Sequence, residues 1–180
     1  LAGYDYFRQY LSPGQVDSLH LLGSADAYKS LLRSNFVGTS SVVCRAEVFE
    51  SAGTFDETMP NAEDIDLWRR IARAGHAFAF LDAVHHTYRV RSGSISRGDS
   101  RLFKAGIQGI ESQFPHCTDP EDLALLRGKL HGLWLGYGNA LRKEGKPDEA
   151  KAAYRQALRQ KVDWAGLKGL VLSGLTRKDA

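Results

Sequence analysis

The pattern of hydrophobic and polar positions changes along the chain. Up to about residue 115, short apolar runs alternate with glycine-rich turns, which predicts short helices and strands. Beyond about residue 122, apolar residues recur every three or four positions, which is typical of packed helices. We therefore predict two parts, residues 1–118 and residues 119–180, divided near the breakers Pro115 and Asp119-Pro120.

In the first part, periodicity and breaking residues predict both helices and strands. Glycines at the ends of two apolar patterns, Gly53 and Gly75, predict helix C-termini. The run of valines before Cys44 predicts a buried strand in which this cysteine is a small core residue. The predicted helices cover residues 26–33, 46–52, 62–74 and 102–114, and the predicted strands cover residues 35–44, 76–81 and 84–90.

The second part is predicted to be a helical hairpin over residues 122–144 and 147–160, with a third helix over 167–175. Gly145-Lys146-Pro147 joins the two long helices, with a glycine after the first and a proline in the first turn of the second. The spacing resembles one tetratricopeptide repeat, although Val162 stands where that family usually has proline. Because one repeat cannot bury both of its faces, a hairpin packed on the first part is favoured over an independent solenoid. The resemblance rests on Trp134, Tyr137, Gly138, Leu141, Gly145, Ala150, Tyr154 and Ala157.

Composition narrows the class of protein. With 43% hydrophobic and 25% charged residues, the chain is neither intrinsically disordered nor collagen-like. Two cysteines cannot build a disulfide framework, and their spacing is not that of a metal site, which favours a cytoplasmic setting. The net charge of +3 is too small to indicate nucleic acid binding. This net charge is the sum of −2 for the first 120 residues and +5 for the remaining residues.

Candidate chemistry concentrates at the predicted start of the helix over residues 62–74. Glu63, Asp64 and Asp66 fall there, where exposed backbone N–H groups and the helix dipole favour negative charge. Capping alone could explain such residues. However, Leu67 begins a buried face directly behind them, so a carboxylate here would face the loop side, where a substrate can lie. The triplet Asp64-Ile65-Asp66 matches a metal-binding pattern, but three residues are too weak a pattern to predict a metal site.

Four segments, in this order, resemble family 2 nucleotide-sugar glycosyltransferases, and specifically their C-terminal, acceptor-side half. Together they extend over about a third of the chain. They are residues 35–42 (NFVGTSSV), 53–57 (GTFDE), 63–71 (EDIDLWRRI) and 88–96, which contain Tyr88-Arg89-Val90 and Ser94-Ile95-Ser96.

The resemblance implies an α/β fold: the C-terminal half of a GT-A type α/β sandwich around a mostly parallel sheet, followed by an all-α helical hairpin. Members of the family have a nucleotide-binding first half, whose Asp-x-Asp motif holds Mg²⁺ or Mn²⁺ against the diphosphate. Since the chain opens with Leu1 and shows no such half, we expect an excerpt of a longer enzyme. Such an excerpt would neither bind the metal nor transfer sugar alone.

The resemblance also implies roles for individual residues. Asp64 would be the catalytic base, and Glu63 would fix its geometry or bind acceptor hydroxyls. The remaining candidates would contact substrate: Gly53, Phe55 and Asp56 in a loop lining the sugar pocket, Thr39 and Ser40 near it, and Arg89 and Arg91 at the diphosphate. Many relatives have His where this chain has Arg91. Arginine can bind phosphate but cannot ligate a metal, and a solvated strand end explains these arginines equally well.

The expected partners are a nucleotide-sugar donor and a glycan or lipid-linked acceptor, without nucleic acid and without a transmembrane segment. The Gln-x-x-Arg-Trp signature of processive synthases is absent, which favours single additions. We expect a cytoplasmic protein, with a peripheral position at the inner membrane face left open. Two alternatives stay open: a non-catalytic module that binds a protein partner through its helical tail, and a phosphate- or nucleotide-binding domain using Arg89, Arg91 and Arg97.

Overall fold

A computed structural model of the chain describes residues 19–59, 61–81 and 100–175. By its internal contacts the chain divides into two units, Leu1–Arg89 and Val90–Ala180. This division lies earlier than the predicted boundary at residue 118. The reason is that the helix Ser100–Glu111 packs against the helix Pro120–Lys143 and so groups with the helical unit.

The first unit contains three helices and a two-stranded antiparallel sheet among its described residues. The strands β1 (Leu19–Leu22) and β2 (Phe78–Leu81) pair with Leu22 opposite Phe78. The mostly parallel sheet implied by the glycosyltransferase resemblance stays a prediction, and the predicted strand 84–90 lies outside the described residues. The helices are α1 (Ser24–Arg33), α2 (Glu47–Ala52) and α3 (Glu63–Arg73).

The core of the first unit forms where these three helices meet. Its buried side chains come from all three helices, and Phe36, Val37 and Val42 pack against them. The buried Arg69 ties α3 to α1, because its guanidinium donates two hydrogen bonds to the carbonyl of Leu31 near the end of α1. The core residues are Ala27, Leu31, Val48, Leu67, Trp68, Ile71 and Ala72.

The predicted helices 26–33, 46–52 and 62–74 are confirmed with small shifts at their ends. Gly53 and Gly75 follow α2 and α3 with φ angles of 73° and 93°, in the left-handed region that favours glycine. The prediction of a strand over residues 35–44 is wrong. Thr39–Ser41 form a 3₁₀ turn there, Val43 is fully exposed, and Cys44 is an exposed residue rather than a core one. The strand β1 was not predicted from the sequence.

The second unit is helical throughout its described residues. Its helices are α4 (Ser100–Glu111), α5 (Pro120–Lys143), α6 (Pro147–Gln160) and α7 (Trp164–Leu175), and each packs against the next along the chain. The helical hairpin predicted around Gly145-Lys146-Pro147 is confirmed, with Gly145 at a φ of 74°. No helix in the described part of either unit is both long and apolar enough to cross a bilayer.

Tyr154 is the largest fully buried side chain of the second unit. Its ring lies against Gly138 of α5 and Gly169 of α7, where only glycine leaves enough room. Its hydroxyl donates a 2.8 Å hydrogen bond to Asn139 Oδ1, and burial raises the pKa of the phenol. One aromatic side chain thus packs three helices together, whereas the resemblance to a tetratricopeptide repeat stays a prediction.

Candidate functional site

The first turn of α3 carries the acidic residues that the sequence indicated as candidate site residues. Ala62, immediately before the helix, has φ 66° and ψ 17°, which is the left-handed conformation that costs an alanine about 1–2 kcal/mol. Glu63, Asp64 and Asp66 occupy the first turn, where the helix dipole favours their charge. Leu67 and Trp68 are buried directly behind them, as predicted.

Asp64 is held by three hydrogen-bond donors. Its Oδ2 accepts from Asn35 Nδ2 at 3.1 Å and from Thr39 Oγ1 at 3.2 Å, and its Oδ1 accepts from the backbone N–H of Ile65 at 2.6 Å. An ionised carboxylate offers about four acceptor positions, two on each oxygen. The two side chains fill those of Oδ2, so Oδ1 retains one position for a further donor.

The loop between α1 and α2 delivers the two side-chain donors to Asp64. Asn35 is oriented by the backbone two residues further along, since its Oδ1 accepts from the N–H of Val37 at 3.3 Å. The 3₁₀ turn that carries Thr39 is closed by Ser41, which donates from its N–H and its hydroxyl to the carbonyl of Gly38. The segment predicted as a buried strand is therefore a loop that reaches the helix start.

A second loop, after α2, is fixed to the same helix by Arg70. The guanidinium donates to the carbonyls of Ala52 and Thr54, the latter at 2.7 Å, and to Asp66 Oδ2 at 2.8 Å. Gly53 lies between the two carbonyls, and a Cβ there would stand only 3.3 Å from Arg70 Nη1. Arg70 therefore sets the path of the loop that was predicted to line a sugar pocket.

The far side of this loop presents an aromatic ring and a carboxylate. The edge of Phe55 meets the ring of Trp68 at a centroid distance of 6.2 Å and an interplanar angle of 78°, and Phe55 remains partly exposed. Asp56 Oδ1 accepts from the hydroxyl of Thr58 at 2.6 Å and from its N–H at 2.9 Å. These two bonds lower the pKa of Asp56, so its charge is kept at the protein surface.

The two aspartates of the Asp64-Ile65-Asp66 triplet have different partners. Asp66 is ion-paired with Arg70, whereas Asp64 contacts Asn35 and Thr39. Within residues 19–59, 61–81 and 100–175, no three His, Cys, Asp or Glu side chains converge as metal ligands would. The described residues thus do not fit the divalent cation that the family resemblance implies.

A cavity of about 920 Å³ borders this region at Gly38 and Trp68. Its wall is built by β1, the three helices, the loop before α2 and β2, and it mixes polar side chains with apolar ones such as Phe36 and Phe78. Two buried ring nitrogens in its lining residues, His20 Nδ1 and Trp68 Nε1, have no hydrogen-bond partner among the described residues. The cavity therefore combines a mixed polar and apolar wall with two buried ring nitrogens that lack a partner in the described part of the chain.

The structure brings several predicted site residues to α3 and leaves others apart. Thr39 contacts Asp64 directly, Glu63 lies in the same helical turn, and the loop of Gly53, Phe55 and Asp56 is attached through Arg70 and Trp68. Ser40 is exposed in the 3₁₀ turn with no described contact to Asp64. Arg89 and Arg91 lie outside the described residues.

Two residues of this arrangement were missed as site residues. Asn35 opens the first segment of the family resemblance, but nothing in the sequence pairs it with a carboxylate 29 positions away. Arg70 could have been found from its spacing, since an Asp and an Arg four residues apart on a helix commonly pair.

Sequence comparison relates the chain to a glycosyltransferase. Over 93 residues it is 34% identical to the pre-mycofactocin glycosyltransferase of Mycobacterium tuberculosis, equally in strains CDC 1551 / Oshkosh and ATCC 25618 / H37Rv. The match covers 51% of this chain and 18% of the relative, so it spans less than a fifth of the length of these curated relatives. No family model matches, and no solved structure matches significantly. The predicted relationship to a glycosyltransferase is confirmed at this general level.

Proposed function

We propose that the chain supplies the acceptor side and the catalytic base of an inverting, family 2, GT-A type glycosyltransferase. The observation that carries the proposal is the environment of Asp64. Asn35, Thr39 and the backbone of α3 fix the carboxylate and leave one acceptor position on Oδ1. The relationship to a glycosyltransferase supports this reading, since such an enzyme needs a positioned base.

In the proposed reaction, an acceptor hydroxyl donates to the free position on Asp64 Oδ1. As the hydroxyl oxygen attacks the anomeric carbon of the donor sugar, its proton passes to this carboxylate. The bond between the anomeric carbon and the diphosphate oxygen breaks, and the nucleoside diphosphate leaves with the electron pair. Because attack and departure occur on opposite faces, the anomeric configuration inverts. A hydroxyl is a poor nucleophile at neutral pH, and a positioned base contributes about 10²–10⁴-fold.

The neighbouring groups complete the acceptor side in this proposal. Glu63 binds acceptor hydroxyls or orients Asp64, and the loop held by Arg70 places Phe55 and Asp56 beside the sugar. Arg89 and Arg91 are proposed to meet the diphosphate. The nucleotide-binding half, and the Mg²⁺ or Mn²⁺ that neutralises the diphosphate, would be supplied by residues beyond the described ones.

The base assignment is tested by Asp64→Asn in the full-length enzyme, with pre-mycofactocin, named by the relative, as the first acceptor to try. The amide keeps the shape of the side chain and cannot take a proton, so kcat is expected to fall at least about a hundredfold. Asp26→Asn is the matched control, because Asp26 also lies in the first turn of a helix. A normal kcat in Asp64→Asn, with an unchanged melting temperature, would contradict the role of Asp64.

A second experiment tests the proposal that this chain is one half of the enzyme. The 180-residue chain, incubated with nucleotide sugars, Mn²⁺ and acceptor, is expected to release no nucleoside diphosphate above background. Sustained turnover by the chain alone would show that it binds the donor itself. The alternative, a non-catalytic module using the helical tail, predicts instead that full-length Asp64→Asn behaves like the wild type in every assay.

A further inference from the structure

The outward face of α7 carries an apolar stripe. Trp164, Leu167 and Val171 follow one another at helical spacing and are 77%, 43% and 62% exposed, and Val162 just before the helix is 74% exposed. The opposite face carries the buried small residues Gly166, Gly169 and Ser173 together with Leu170, which packs against the core around Tyr154. Thus α7 packs on its neighbours largely through small residues and leaves Trp164, Leu167 and Val171 exposed on its outward face.

The charge around this stripe is predominantly positive. Between residues 150 and 178 the sequence holds seven Lys or Arg and a single acidic residue, Asp163. Asp163 is already engaged, since it accepts from the N–H of Gly166 at 2.8 Å and from His131 Nε2 at 2.9 Å. Lys161 and Lys168 are exposed beside the stripe. The face therefore combines apolar side chains with a net positive charge.

We propose that this face, defined by Lys161, Val162, Trp164, Leu167, Lys168 and Val171, docks onto the surface of an anionic lipid bilayer. An indole suits the boundary between headgroups and acyl chains, and the aliphatic side chains of the stripe can enter that boundary. The lysines extend apolar stems toward the lipid and place their ammonium groups among anionic headgroups. Docking of this kind needs no helix that spans the membrane.

Charge disfavours other occupants of the face. In a two-fold dimer through α7 the same patch meets itself, which brings the lysines of both copies together, and the one acidic residue of the patch, Asp163, already accepts from Gly166 and His131. A nucleic acid would find only two described lysines here, separated by an apolar stripe that phosphates do not favour. An anionic bilayer accommodates the apolar stripe at its acyl chains and the lysines at its headgroups.

The first test is sedimentation of the 180-residue chain with lipid vesicles. We expect binding to phosphatidylcholine vesicles that contain about one third phosphatidylglycerol. Partitioning to pure phosphatidylcholine vesicles should be about tenfold weaker. Raising the salt concentration should weaken binding to the anionic vesicles. Equal partitioning to both kinds of vesicle, or to neither, would overturn the proposal.

Matched variants locate the contact. Trp164→Ser with Val171→Ser removes apolar area at exposed positions, and Lys161→Gln with Lys168→Gln removes two charges. Each pair is expected to lower vesicle partitioning by about tenfold. The controls are Val43→Ser, at a fully exposed position of the first unit, and Lys104→Gln with Lys143→Gln on α4 and α5. If the controls lower partitioning as much as the α7 variants do, the proposed face is wrong.

Two further measurements separate the bilayer from the competing occupants. Brominated phospholipids should quench tryptophan fluorescence in the wild type and much less in Trp164→Phe, since Trp68 is buried and Trp134 is partly buried away from the exposed stripe. Sedimentation velocity should give a monomer. A dimer abolished by Trp164→Ser would instead assign this face to a second copy. Binding of an oligonucleotide in preference to anionic vesicles would likewise overturn the proposal.

Discussion

The hydroxyl of Thr39 donates to the carboxylate of Asp64 with 3.2 Å between Oγ1 and Oδ2, although the residues lie 25 positions apart in sequence. Asn35 occupies the other acceptor position of the same oxygen. The orientation of the proposed base thus depends on the loop between α1 and α2 as well as on α3. It follows that changes in the loop should alter the reaction while the helix stays intact.

Thr39→Val should therefore impair catalysis in the full-length enzyme. Valine keeps the shape of threonine but cannot donate to Asp64, so the carboxylate loses one of its fixed bonds. We expect kcat to fall by about tenfold, with little change in the KM for the donor, because a base held less firmly is less often in reactive geometry. Thr39→Ser, which keeps the hydroxyl, should restore most of the rate. A normal rate in Thr39→Val would mean that this bond does not position the base.

Arg70→Gln should destabilise the first unit. The substitution removes the bonds to the carbonyls of Ala52 and Thr54 and the ion pair with Asp66, and we expect the free energy of unfolding to fall by about 1–3 kcal/mol. Arg70→Lys should not rescue it, since an ammonium cannot replace the planar fork. The measurement is unfolding by urea. The control is Arg45→Gln, at an exposed pair with Glu47, which should change stability by less than about 0.5 kcal/mol.

Glycines around Tyr154 should not tolerate a methyl group. A Cβ at position 138 would stand 2.8 Å from a ring carbon of Tyr154, and one at position 169 would meet the same ring. Gly138→Ala and Gly169→Ala are expected to lower the melting temperature, with a cost of about 1–3 kcal/mol each. Gly128→Ala on α5, where a Cβ meets nothing within 4 Å, should instead stabilise by about 0.5–1 kcal/mol. Equal effects at all three positions would contradict this packing.

Asp163 should make the second unit sensitive to acid. The N–H of Gly166 and the ring of His131 both stabilise the carboxylate and lower the pKa of Asp163 below its ordinary value of 3.8. Its contribution to stability is therefore complete above that value and is lost as the pH falls through the lower, folded-state pKa. Asp163→Asn should be less stable than the wild type at neutral pH, and the difference should shrink at the acid end. Thermal unfolding against pH measures this, with Glu111→Gln as an exposed control.

The sequence by itself determined which segments are helical and, after α2, α3 and α5, where the helices stop. The helix now seen as Glu63–Arg73 was predicted within a residue at each end, and Gly53, Gly75 and Gly145 all have the positive φ expected of a glycine after a helix. These features depend on apolar spacing within one segment and on the freedom of glycine, and both can be read locally. The acidic start of α3, with its buried face behind, was predicted for the same reason.

Tertiary structure decided the features that depend on distant partners. Val42 and Val43 look like strand residues, but a strand needs a neighbour to pair with, and Gly38 and Ser41 turn the chain there instead. The short strand β1 forms because β2, nearly 60 positions away, offers its backbone groups. Asn35 and Thr39 became donors to Asp64 only when that loop folded against α3. Sequence spacing can indicate a partner one helical turn away, as for Asp66 and Arg70, but partners from a distant loop are set by proximity in space.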